Sequence, residues 1–263
     1  MGEFVSDNPG RDCQAIGSAI TMGQDPTKIH EDVWGVIGNE GDSQCYLGVD
    51  LKVSAIQDAL SARVSELDLP VRLIPPNFVG GVSDGQLNGT NRMRFSLTGR
   101  ETTNDGVCLH LSGSNVEASI AVVACDKPPV GTLAAILEHN KPAVIMSDGS
   151  IRPGQDPETH EPIDIVSCFQ VAGDIDTDKK TRYAMNACPG YGSCGGMFTY
   201  NTMQSFIATL GMEPLHMVSP ASDDSRRLNA FPEELVDCLQ ILVERDIKPV
   251  SYTHLTLPTI YSV

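Results

Sequence analysis

The chain has 263 residues, 41% of them hydrophobic, and 34 acidic side chains against 18 basic ones give a net charge of −16. That size and composition fit one large α/β domain or two small ones. The acidic balance, with no Lys/Arg-rich block, excludes a nucleic-acid surface. No apolar run approaches a membrane span, and the opening MGEFVSDNPGRDCQ reads as neither a signal peptide nor an Arg-rich transit segment, so a cytoplasmic protein is expected.

In chain order, residues 53–64 (VSAIQDALSARV) carry apolar side chains at helical spacing and predict a helix. VRLI (71–74) predicts a short strand ended by Pro75 and Pro76, and a glycine-rich loop follows over 80–93. ASIAVVA (118–124) is a continuous apolar run with β-branched residues, as expected of a strand buried on both faces. CDKPP ends it, VGTLAAILEHN (130–140) predicts a helix, and PAVIMSD (142–148) predicts a second buried strand. Strand, helix, strand is a βαβ unit, which implies a parallel sheet. Residues 149–162 predict a long loop, and helical turns are expected around IVSCFQVAG within 163–187. A helix follows over about 197–210 with Gly211 at its C′ position, and another, with a proline near its start and acids in its first turn, over 231–246.

Eight cysteines are too few for a disulfide scaffold in a chain this long, and none forms a CxxC pair. Cys125 follows a buried strand and precedes a helix, the place where open α/β sheets bind ligands. The helix N-terminus there is expected to favour thiolate over thiol, and Asp126 and Lys127 set a hard oxygen ligand beside the sulfur. Cys194 repeats the arrangement, with Gly195 and Gly196 leaving room for a bulky group. Read alone, each cysteine is equally well a packed thiol beside surface polar residues.

The stretches GVSDGQLNGTNRMRFSLTGRE, ACDKPPVGTLAAILEHNKPAVIMSDG and CPGYGSCGGMFTYNTMQSFIATLGMEPL together resemble the amino-terminal half of the dihydroxy-acid dehydratase and phosphogluconate dehydratase family, in order, over about residues 30–230. The resemblance implies a parallel-sheet α/β domain of an iron–sulfur dehydratase. Its cluster, 2Fe–2S or 4Fe–4S, would be held by Cys45, Cys125 and Cys194. Cys45 departs in context, because the family has Pro-Cys-Asn where this chain has Gln44 and Tyr46 as neighbours. Cys13, Cys108, Cys168 and Cys238 fall outside the ligand motifs and are expected to be packing residues, with Cys188 a nearby non-ligating thiol. Three thiolates leave one iron an open position, able to act as a Lewis acid on a hydroxyl. The resemblance also implies Mg2+ on Asp84, Asp126 and Lys127, the lysine through a carbamate, since an ammonium has no lone pair to offer. At Asp84 a turn before Gly85 explains an aspartate equally well.

The implied reaction removes water from a 2,3-dihydroxy carboxylic acid to give a 2-keto acid. Branched-chain substrates, and so branched-chain amino-acid biosynthesis, come first; sugar acids or 6-phosphogluconate come second. The family's catalytic base is a serine in a carboxyl-terminal β-rich domain with no counterpart here, so the catalytic residue is unknown. Residues 1–249 are expected to be a cluster- and metal-binding part of a longer enzyme, a homodimer when whole, and the 263-residue chain is expected to release no keto acid from candidate diols. Residues 250–263 resemble translated sequencing adapter. Two departures, SDGSIRPG with Asp148 and Arg152 and the charged run before residue 230, put the particular diol in doubt, the first through a loop expected to shape the pocket. The readings of another class are a zinc-binding or redox-sensing module and a gene-model fragment without function.

Overall fold

The computed structural model describes residues 5–250, so all but the first residue of the run read as a foreign tail lies outside the described residues. Helix α1 (Pro9–Thr21) leads into β1 (Asp32–Glu40), whose residues 33–39 are all buried. Helix α2 (Val49–Glu66) follows, then β2 (Val71–Leu73) and β3 (Asn77–Gly80). Pro75 and Pro76 separate those two strands, which pair in turn with the first and last stretches of β1. After the four-residue α3 (Asp84–Leu87) comes α4 (Phe95–Gly113), and the chain then returns through β4 (Val116–Val123), α5 (Pro128–His139) and β5 (Ala143–Ser147).

The sheet runs β2-β1-β4-β5, with β3 extending the β2 side, and all its pairings are parallel. The strand order therefore reverses between β1 and β4, and the crevice beyond their carboxyl ends is the switch point of the fold. The predicted βαβ unit is β4-α5-β5.

Period-two alternation divides the core. Val36, Ile120 and Val122 face α2 and α10 (Phe231–Glu244), while Ile37, Ala121 and Val123 face α4, α5 and α8 (Thr199–Thr209). Between β5 and α8 lie a two-stranded ribbon, β6 (Gly154–Gln155) and β7 (Pro162–Ile163), then α6 (Ile165–Val171) and α7 (Thr177–Asn186). Asp164 caps α6 through a reciprocal bond with Ser167. A last short helix, α9 (Arg226–Asn229), precedes α10. No helix among the described residues is long and apolar enough to cross a membrane.

Several elements depart from the sequence expectation, α1 and β1 among them. The 80–93 loop contains α3 and a 3-10 turn (Asn91–Arg94), and α4 was expected nowhere. The buried side chains of α4 are Ser96, Thr103, Val107 and Leu111, so half of its inward stripe is polar and gives no apolar period.

Candidate metal centre

The switch point gathers four segments. Cys45 lies on the loop between β1 and α2, Asp84 follows β3, and Cys125, Asp126 and Lys127 bridge β4 and α5. Cys194 lies on the loop after α7, which is tied to the β5 exit: the Ser193 N–H donates to Gly149 O at 3.0 Å and the Ile151 N–H to Ser193 O at 2.7 Å. The Gly192 N–H reaches Gln44 O at 3.0 Å, joining this loop to that of Cys45. Ser193 Oγ accepts from the Cys125 N–H at 3.0 Å, so one serine ties two of the cysteine segments together. From α8, the Asn201 amide donates to Cys194 O at 2.7 Å and to Gly196 O at 2.6 Å.

Cys125 has φ +64°, the left-handed region that non-glycine residues rarely occupy. Such a conformation costs about 1–3 kcal/mol and persists only where the surroundings fix it. Here the bond to Ser193 and that from the Ala124 N–H to Asn39 Oδ1 (3.3 Å) fix it.

The three thiols converge. Hydrogen bonds from Cys125 and Cys194, in that order, hold Cys45 far below the usual thiol range, while the same contacts and burial push Cys125 and Cys194 well up. The sequence expectation placed the thiolate at Cys125 by helix dipole. Cys45 and Cys125 are 5% and 2% exposed, and thiols buried this close favour one shared negative charge over a separate thiolate at Cys125. Cys45 Sγ also lies 3.6 Å from Ser83 Oγ.

Beside the thiols, Asp84 accepts from Lys127 Nζ and from Ser96 Oγ, both at 2.5 Å. Burial, and then the charge of Asp84, push the Asp126 carboxyl up to about 6. A cavity of about 220 Å³ opens here, lined by Asp84, Asp126 and Cys194 and walled by Met93, Phe169 and Phe198. A second, of about 310 Å³, adjoins it through Cys194 and is lined by Cys45, Ser83 and Cys188. Among the described residues, no three His, Cys, Asp or Glu side chains close on a single metal ion. The donors come instead as three thiols with two carboxylates alongside. Soft sulfur donors suit iron, and a buried carboxylate beside a half-buried one that repels it suits a hard divalent cation. The donor chemistry fits both groups implied by the sequence.

The SDGSIRPG loop, expected to shape the pocket, reaches the cavity through Ile151. Within it Asp148 is fully buried, ion-paired with Lys52, and accepts from Ser222 Oγ at 3.0 Å, while Arg152 is exposed and pairs with Asp223 at 2.8 Å. One expectation is corrected: Cys13, expected to be a packing residue, is exposed on α1. The charge before residue 230 has a structural use, because the fully buried Arg227 donates to the carbonyls of Ser147 (2.6 Å), Met217 (3.0 Å), Pro220 (2.6 Å) and Ala221 (2.9 Å). Ser193 and Asn201 were missed. Both sit in the quoted motif, where a hydroxyl beside a ligand cysteine and an asparagine one turn into a helix are the signal.

Residues 52–255 match the family described as dihydroxy-acid/6-phosphogluconate dehydratase, N-terminal. The chain belongs to that family. It is similar to the mitochondrial dihydroxy-acid dehydratase astD of Aspergillus terreus, 36% identical over 196 residues, which covers 72% of this chain and 32% of the relative. The mitochondrial dihydroxy-acid dehydratase of Schizosaccharomyces pombe is 39% identical over 181 residues, 64% of this chain and 29% of its own. That of Flavobacterium psychrophilum is 39% identical over 178 residues, 64% and 31% respectively. The chain thus spans about a third of the length of the curated dehydratases it matches. Cys45 lies just ahead of the family match, so its place in the site rests on the geometry above.

Proposed function

We propose that this protein is an iron–sulfur hydro-lyase that converts a 2,3-dihydroxy carboxylic acid to a 2-keto acid. One observation carries the reading: thiols from three separate segments meet at the switch point, with Asp84 and Asp126 beside them. In this reading Cys45, Cys125 and Cys194 hold the cluster, and Asp84, Asp126 and a carbamylated Lys127 hold Mg2+. When bound, the two groups supply Lewis acidity toward a hydroxyl and a carboxylate. Residues 1–249 are the cluster- and metal-binding part.

The chain's own residues prepare that site. Ser96 orients Asp84, Ser193 and Asn201 fix the backbone beside Cys125 and Cys194, and Phe169 and Phe198 give the cavity an apolar wall. The apolar wall of Met93, Ile165, Phe169 and Phe198 favours a branched alkyl chain, while Asn88 and Thr199 on the same cavity keep a sugar acid as the second reading.

The test is anaerobic reconstitution with ferrous iron and sulfide, followed by analysis of bound iron and acid-labile sulfide. Uptake of both, lost on Cys45→Ser, Cys125→Ser or Cys194→Ser and kept on Cys108→Ser, is expected. Zinc in place of iron, or a disulfide between Cys125 and Cys194, would establish the binding or redox module instead.

A further inference from the structure

The glycine-rich run 80–93 carries a pair, Asn88 and Gly89, that the proposed function leaves unused. Asn88 is the one asparagine in the sequence followed by glycine. The pair forms the tip of a turn over residues 87–90, closed by a bond from the Thr90 N–H to Leu87 O at 3.1 Å. Asn88 has φ −53° and ψ 135°, and Gly89 has φ +72°. Those are the angles of a type II turn, which asks for glycine at its third residue. Asn88, Gly89 and Thr90 are all exposed.

This pair is open to reaction with itself. Among the described residues, no hydrogen bond holds the Asn88 side-chain amide or the Gly89 N–H. The space about Gly89 is empty, since a Cβ there would meet nothing within 4 Å. The native ψ of Asn88 turns the Gly89 nitrogen away from Asn88 Cγ, so the turn has to open before the two atoms meet. Exposed loop tips open at little free-energy cost, and glycine has no side chain to resist the rotation.

We infer that Asn88 deamidates without an enzyme, through a cyclic imide formed with Gly89. The Gly89 nitrogen bonds to Asn88 Cγ, the Cγ–Nδ2 bond breaks, and Nδ2 leaves as ammonia, taking the Gly89 hydrogen. Water then opens the ring, and nothing is oxidised or reduced. Opening at Cγ gives aspartate; opening at the main-chain carbonyl gives isoaspartate, whose backbone runs through the former side chain. Either product adds one acid and takes the net charge from −16 to −17. Asn88 lines the cavity of about 220 Å³ together with Asp84 and Asp126, so the new carboxylate joins a wall that already holds two. The reaction needs neither cluster nor Mg2+, and its outcome is independent of whether they bind.

The test ages the apo chain in mildly alkaline buffer and digests it with trypsin beside a fresh sample, which corrects for reaction during digestion. Residues 73–92 form one tryptic peptide that also holds Asn77 and Asn91, followed by Phe78 and Arg92. The aged peptide is expected to gain the mass difference between an amide and a carboxyl, localised by fragmentation to residue 88, with aspartate and isoaspartate both identified there. Asn77 and Asn91 are expected to keep their amides, because a bulky following residue hinders ring closure. Retention of the Asn88 amide, or its loss no faster than at Asn77 and Asn91, overturns the inference. Aspartate without isoaspartate at residue 88 would mean direct hydrolysis and overturns the cyclic imide.

Discussion

Lys52→Met separates what the buried ion pair does for the fold from what it does for the site. Lys52 and Asp148 are 1% and 0% exposed and touch directly, with Lys52 Nζ also donating to Ser222 Oγ at 2.8 Å. Burial pulls the lysine down and pushes the aspartate up, so desolvation outweighs attraction at both ends. The pair is therefore no net gain over apolar residues, but it is costly to break. Removing Lys52 leaves Asp148 buried with only Ser222 and the charge of Arg227 to support it, which costs about 3–5 kcal/mol, against a total of about 5–15 kcal/mol for a domain. The double variant Lys52→Met with Asp148→Asn removes both charges and keeps an acceptor for Ser222, and it is expected to recover more than half of that loss. Urea unfolding of the apo chain, with the slope checked for constancy, measures both. The perturbation should reach the metal centre too. Asp148 precedes Gly149, whose carbonyl anchors Ser193, and the Lys52 ammonium lies 5.3 Å from the Tyr191 ring on the Cys194 loop. Iron uptake is expected to fall in the single variant and return in the double. A single variant within 1 kcal/mol of the parent (well under the lower bound of about 3 kcal/mol), or a double variant no better than the single, would refute the reasoning.

Two further outcomes are expected. Ser193→Ala strands the buried Cys125 N–H and should cost about 1–3 kcal/mol, read as a lower urea midpoint together with weaker iron retention; an unchanged midpoint would mean that Ser193 is not the clamp. Glu213, 3% exposed, accepts from the Ser147 N–H at 2.9 Å and Ser147 Oγ at 2.7 Å, and burial raises its carboxyl from 4.5 to about 7. Between those values the folded chain keeps a proton that the unfolded chain releases, so Glu213 makes stability fall as pH rises, by about 3 kcal/mol in all. Glu213→Gln is expected to match the parent near pH 4.5 and exceed it at pH 8. An equal difference at both pH values would assign the effect to packing.

The parts of this molecule that were readable from sequence are those in which one residue type serves one purpose. Residues 118–124 and 142–148 are mostly apolar because β4 and β5 are covered on both faces, and their helix is bounded by prolines and Asn140, so strand, helix and strand could be placed to within a few residues. Strand β1 was missed although it is the centre of the sheet. Gly35 and Gly38 interrupt its apolar run, and glycine argues against a strand until the packing is seen: a Cβ on Gly38 would lie 2.8 Å from both Val53 and the Phe78 ring. Cys45 was the least secure ligand, because Gln44 and Tyr46 flank it where the resemblance leads one to expect Pro-Cys-Asn.

The same limit applies to the charges. Asp84, Asp126 and Lys127 were legible because short motifs carry them. Lys52, Asp148 and Arg227 were not, because a single sequence cannot show that a lysine in an amphipathic helix faces an aspartate 96 positions later. Composition points every such residue toward solvent, and burial reverses that only when partners far apart in sequence meet. The site is accordingly built in two tiers. Ligand candidates other than Cys194 stand at strand exits, where topology places them, and a buried polar layer behind them (Lys52, Asp148, Ser222, Arg227) joins the β5 exit to the Cys194 loop after α7. Thiols borne on separate segments can hold one group only if those segments keep fixed positions. The layer that fixes them is the part that pattern reading could not reach, and variants there should loosen the metal centre without altering any ligand.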